Sequence, residues 1–107
     1  MQSWDISTLD VQPHQPEVLE SEIEGRAIVI NLPAGERLQE HQVHERAWLL
    51  VVSGAIEIEG SESISGGPGL LAAFDPNERR ELLATEDALL LLLLSPWPGK
   101  GHPSHPA

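Results

Sequence analysis

The 107-residue chain contains no cysteine, and its 6 lysines and arginines face 17 aspartates and glutamates. Without thiols there are no disulfides, no thiolate-bound zinc and no cysteine nucleophile, so a metal would have to be held by His, Asp or Glu. The shortage of basic residues leaves a formal net charge of −11. A surface this negative repels phosphate backbones and anionic lipid faces, and no basic stripe offsets it. Neither nucleic acid nor a membrane is therefore an expected partner. Long apolar runs are also missing. The longest, "ALLLLLL" at Ala88 to Leu94, is far short of the ~20 residues that span a bilayer. The opening "MQSWDISTLD" lacks the basic start and apolar stretch of a signal peptide, so a soluble cytoplasmic protein is expected.

What is present is enough for one domain with one modest hydrophobic core, at 40% hydrophobic residues. From Arg26 onward short strand-like segments alternate with turn signals, a spacing that indicates a sandwich or barrel. "RAIVINL" ends at the turn Pro33 to Gly35; "ERLQEH" and "RAWLLVV" follow, the latter stopped by Ser53-Gly54. "AIEIE" alternates apolar and acidic residues, the period of a half-exposed strand. "ESISGGPG" is a turn region, "LLAAF" a strand, and "DPNE" a turn in which Pro sets φ while Asp and Asn bond their own backbone. "RELLA" leads through "TED" to "ALLLLLL". Leu favours helix, but this run is strand-length and has no polar face, as in a strand buried on both sides. Residues 1–25 read as an N-terminal arm or edge strand, 26–95 as the barrel, and 96–107 as a Pro- and Gly-rich tail.

The order of turns and strands around "HQVHER" (His41 to Arg46) resembles a small bacterial cupin. Gly35, five residues, His41 and the later Gly54 fit the frame of that family's first motif. Gly69, "LLAAF" and the "DPN" turn fit the second in shape, and the likeness spans roughly residues 28–94. The resemblance implies an all-β, cupin-like double-stranded β-helix (jelly-roll) barrel of two antiparallel sheets. It also implies a homodimer, since cupins commonly pair through their strands. Trp48 gives a separate reason to expect a partner or arm on the outer surface, because "AWLLVV" is apolar on both faces and a lone barrel has one interior.

At the positions that carry the family's metal chemistry this chain departs. Counted from Gly35 and Gly54, the second histidine of the first motif falls on Val43, the glutamate on Ala47, and the third histidine on Arg80. Only His41 stands in place. His44 does not restore the pair in a regular strand, where residues 41 and 43 share a face and 41 and 44 do not. A β-bulge would be needed, and the third ligand would have to come from His14, His102 or His105.

Three function classes follow. In the first, preferred here, the barrel binds a small molecule, with a small anion among the candidates, without a metal, using His41, Arg80, Arg46 and Trp48 as ligand-binding residues. A buried guanidinium without a partner is costly, and a bidentate carboxylate or phosphate would relieve it. In the second, a divalent transition metal held by His41 and His44 supports a dioxygenase- or isomerase-type cupin enzyme. In the third, the barrel is degenerate and serves assembly. His41 has the pKa range of a general base. Ser53, Ser63 and Ser65 nevertheless lack any recognisable nucleophile elbow, and no catalytic residue is assigned. Trp97, between Pro96 and Pro98, is read as a rigid apolar handle that caps a barrel end or a dimer seam.

Overall fold

A computed structural model describes residues 1–22, 25–41, 45–60 and 62–95, with the side chains of residues 22 and 39–41 outside the description. It contains one 3₁₀ turn, Ile6–Thr8, and seven strands: β1 (Glu17–Glu22), β2 (Gly25–Leu32), β3 (Arg37–His41), β4 (Arg46–Glu59), β5 (Ser63–Gly66), β6 (Leu71–Phe74) and β7 (Arg80–Ser95). No helix among the described residues is long and apolar enough to cross a membrane.

Two long strands make the architecture. β4 and β7 pair antiparallel from Arg46↔Ser95 to Glu59↔Glu81, and each serves two sheets. The first half of β4 and the second half of β7 form one sheet with β2, β1 and β6; the other halves form a second sheet with β3 and β5. Ile30, Leu32, Ala47, Leu49 and Val51 from the first sheet share a single core cluster with Ile56, Ile58, Leu82 and Ala84 from the second. The sheets therefore face each other across that core, in the two-sheet, all-β arrangement expected from the strand spacing.

Alternation along the strands explains the core, and its one interruption explains the bend. On β7 the buried positions run 80, 82, 84, 88, 90, 92 and 94, all of one parity. On β4 they run 47, 49 and 51, and then 56 and 58. Between Val51↔Leu90 and Ile56↔Ala84, β4 advances five residues and β7 six, and the register shifts at Val51/Ser53, Ser53/Ala55 and Ala55/Ile56. This is the signature of a β-bulge, which bends the strand and lets it pass from one sheet to the other. Gly54 occupies the bulge with φ +80°, and a Cβ there would lie 2.0 Å from the Asp87 carbonyl oxygen. Ser53-Gly54 is thus a bend inside one 14-residue strand and not the stop expected from sequence. The "TED" segment likewise lies within the 16-residue β7, so four expected strands are two.

The leucine run is a strand, paired with β2 on one side and β4 on the other. Its even-numbered leucines enter the core, while Leu91 is half-buried and Leu93 exposed on the outer face. The N-terminal segment covers part of that face. Val29, opposite Leu91, is fully buried outside the core cluster, and the neighbouring outward residue Asn31 donates from Nδ2 to the Val11 carbonyl at 2.8 Å. "SWDISTLD" holds the 3₁₀ turn, capped by Asp5, and the edge strand of the N-terminal region is Glu17–Glu22.

Gly54→Ala is expected to destabilise the fold by roughly 2 kcal/mol or more, since left-handed backbone strain alone costs ~1–3 kcal/mol and a backbone clash is added. Urea unfolding of the two proteins measures it; equal midpoints and slopes would show that the bulge tolerates a side chain.

Candidate functional site

The two sheets do not join on the side of β5 and β6, each of which pairs among the described residues with β4 alone. Between these edges lies a cavity of about 210 Å³. Ile58 and Gly60 of the β4 end, Ile64 of β5, Ala72 and Phe74 of β6, Glu62, Glu78 and Arg80 line it. Alternation on the short strand β6 turns Ala72 and Phe74 inward and leaves Leu71 and Ala73 outside. Gly60 lets the β4–β5 turn approach the start of β7, since a Cβ there would meet the Arg79 carbonyl oxygen at 3.3 Å. The Gly60 N–H donates to the Glu62 carbonyl at 3.1 Å, closing the turn that carries Glu62 into the cavity lining.

Arg80 is the chemical anomaly of the molecule. It is the buried charged residue of the described chain, 6% exposed, on the same inward row as Leu82 and Ala84. Its guanidinium carbon stands 4.7 Å from the centroid of the Phe74 ring, and its Nη1 is buried with no hydrogen-bond partner. A cation–π contact contributes about 0.5–2 kcal/mol, whereas taking a charge out of water costs several kcal/mol even after relaxation. The ring offsets only part of the burial. Desolvation accordingly lowers the Arg80 pKa from its ordinary value, opposed by the negative charge of Glu78. The group nonetheless stays charged at neutral pH.

The residues expected to act with Arg80 are dispersed. His41 is its register partner across β3 and β7, next to an irregularity between Leu38 and His41; the His41 side chain and all of His44 lie outside the described residues. Arg46 and Trp48 sit on the outer face of β4, opposite to Ala47 and Leu49 in the core. Arg46 pairs there with Asp75, Nη1 to Oδ1 at 3.0 Å, and Trp48 is flanked in register by Ala73 and Leu93. Neither lines the cavity with Arg80. Arg79 is exposed. His14, in the left-handed region at φ 64°, pairs with Glu36 at 2.9 Å near β3, away from this cavity. Trp97, His102 and His105 lie outside the described residues.

Two described positions of the four at which the cupin resemblance places a metal ligand carry none, and the alternative pair His41 and His44 lies outside the described side chains. The position of the glutamate ligand is Ala47, fully buried in the core, and that of the third histidine is Arg80. A guanidinium has five donors and no acceptor, and its charge repels a dication. Among the described residues no three His, Asp or Glu side chains converge. Phe74, Glu62 and Glu78 were not singled out from sequence. The inward parity of Phe74 in "LLAAF" was a readable signal; the two glutamates, in charged turns, offered none.

No protein-family model matches the sequence, and no curated protein sequence matches it. Solved structures do. An RmlC-like cupin from Desulfovibrio desulfuricans aligns with TM-score 0.78 at 16% identity, over 89% of this chain and 96% of that one. A cupin superfamily protein from Desulfitobacterium hafniense aligns with TM-score 0.76 at 13% identity, over 85% and 86%. KdgF from Halomonas sp. aligns with TM-score 0.71 at 26% identity, over 83% and 86%. With two antiparallel sheets sharing two bent strands, and these structures superposing over most of its length, the chain is in fold a small cupin-domain protein.

Proposed function

We propose that the protein binds a small organic anion in the cavity beside Arg80, without a metal. The observation that carries this reading is a guanidinium 6% exposed, incompletely compensated, in the wall of a cavity of about 210 Å³. An anion there supplies the missing counter-charge through charge-assisted hydrogen bonds. The volume lies below the ~300 Å³ at which pockets for drug-sized molecules begin, which suits a small ligand. Its walls, Ile58, Ala72 and Phe74, supply apolar surface beside one cation. That is the composition of a binding site with a single orienting group.

The decisive variant is Arg80→Met, which keeps the length and removes the charge. Thermal unfolding with butyrate, succinate or inorganic phosphate should show a saturable rise for the wild type with at least one probe and none for the variant. The variant alone should be as stable as the wild type or up to ~1–4 kcal/mol more so, because apolar replacement of a buried charge is commonly neutral or stabilising. A clearly destabilised variant, together with a wild type indifferent to every probe, would assign Arg80 to structure.

The outer face supports a second element of the reading, a homodimer. Leu71 is 60% and Leu93 40% exposed beside the half-buried Trp48, and uncharged Leu50, Ala73 and Leu91 adjoin them in register. On a chain of charge −11, self-association needs such an uncharged patch. Light scattering should return twice the chain mass, and Leu93→Glu should return the monomer; a wild-type monomer at high concentration would refute the dimer.

A further inference from the structure

The Arg80 cavity holds more than a cation. Its wall carries two carboxylates, Glu62 in the turn after β4 and Glu78 in the turn before β7. Neither neutralises Arg80 directly, for no ion pair among the described residues involves that guanidinium. Glu78 is held in place by the backbone, its Oε1 accepting from the Asp75 N–H at 2.9 Å. Glu62 is exposed and follows the turn closed by Gly60. The cavity lining therefore combines a buried guanidinium, two carboxylates and apolar side chains.

Such a site discriminates by what a bound acid carries at its far end. Carboxylates are acceptors only when ionised, so a second anionic group would meet like charge, whereas an amine would find both charge and hydrogen-bond complementarity. The field of the whole chain acts in the same sense. A net charge of −11 repels a dianion on approach and leaves a molecule of zero net charge unaffected. Resting on the reading of Arg80 as the anion anchor, we infer that the cavity accepts a small zwitterion, an amino acid or other amine-bearing acid, with its carboxylate towards Arg80 and its ammonium towards Glu62 and Glu78.

The test holds the carboxylate constant and varies the other end. The full chain is titrated calorimetrically with butyrate, 4-hydroxybutyrate, 4-aminobutyrate and succinate. 4-Aminobutyrate should bind most tightly, by about ten-fold or more over succinate, and Glu62→Gln should bring those two to within about three-fold of each other. Thermal unfolding of the variant controls for its integrity. Succinate, butyrate or 4-hydroxybutyrate binding as tightly as 4-aminobutyrate would overturn the zwitterion while leaving the anion site standing. Binding of no probe, or binding unchanged by Arg80→Met, would overturn the anchor itself.

Discussion

Everything in this fold depends on the ladder between β4 and β7. Because both strands run through both sheets, their pairing is simultaneously the centre of each sheet and the connection between them. The bulge at Gly54 is what permits this. The inward row of β4 turns here from odd to even positions, while that of β7 resumes its parity across the exposed Thr85-Glu86-Asp87, so both strands bend at this point. A one-residue difference in register thus gives two facing sheets where regular pairing would give one broad sheet. The remaining strands attach to the two margins of this spine. Where β5 and β6 attach without joining each other, the barrel stays open.

That opening is where the core stops being purely apolar. The inward row of β7 begins at Arg80 and continues through Leu82 and Ala84, so the guanidinium sits where the alternation alone would put another leucine. Its cost in stability is met in part by Phe74 and in part by the charge of Glu78. Local departures from a consistent hydrophobic pattern concentrate at functional sites, because selection for folding alone removes them. In the proposed function, the same charge that makes the position expensive is what selects acids in an apolar-walled cavity.

Much of this architecture was legible in the chain. Period-two alternation in "AIEIE", the glycine and proline punctuation, and the absence of any polar stripe in "ALLLLLL" lead to an all-β barrel, and the cupin resemblance implies Arg80 as an inward residue. What alternation does not encode is a bulge. Ser53-Gly54 and Thr85-Glu86-Asp87 carry the residues of turns, and only the backbone partner across the ladder reveals that both segments stay extended. Arg46 and Trp48, expected beside Arg80, lie at even positions of β4 that place them on the outer face. The cavity's glutamates escaped notice for another reason. A charged side chain in a turn is usually solvated, and its part in a site comes from neighbours distant in sequence.

The placement of the leucine ladder bears on how the chain avoids aggregation. Leu89 to Leu94 is a six-residue stretch, free of charge, proline and glycine, of the kind that stacks into cross-β assemblies when it lies on an edge. Here it is hydrogen-bonded on both flanks, by β2 and by β4, while the margins among the described residues are the short β3, β5 and β6 and the glutamate-rich β1. Edges that are short or charged resist intermolecular pairing. Yet the partner that seals the ladder, β4, lies far back in the chain, and non-local pairing of this kind forms late and slowly. The hazard has been moved from the native state to the interval before β4 and β7 meet, when a high like charge on every copy is what keeps the leucines of different chains apart.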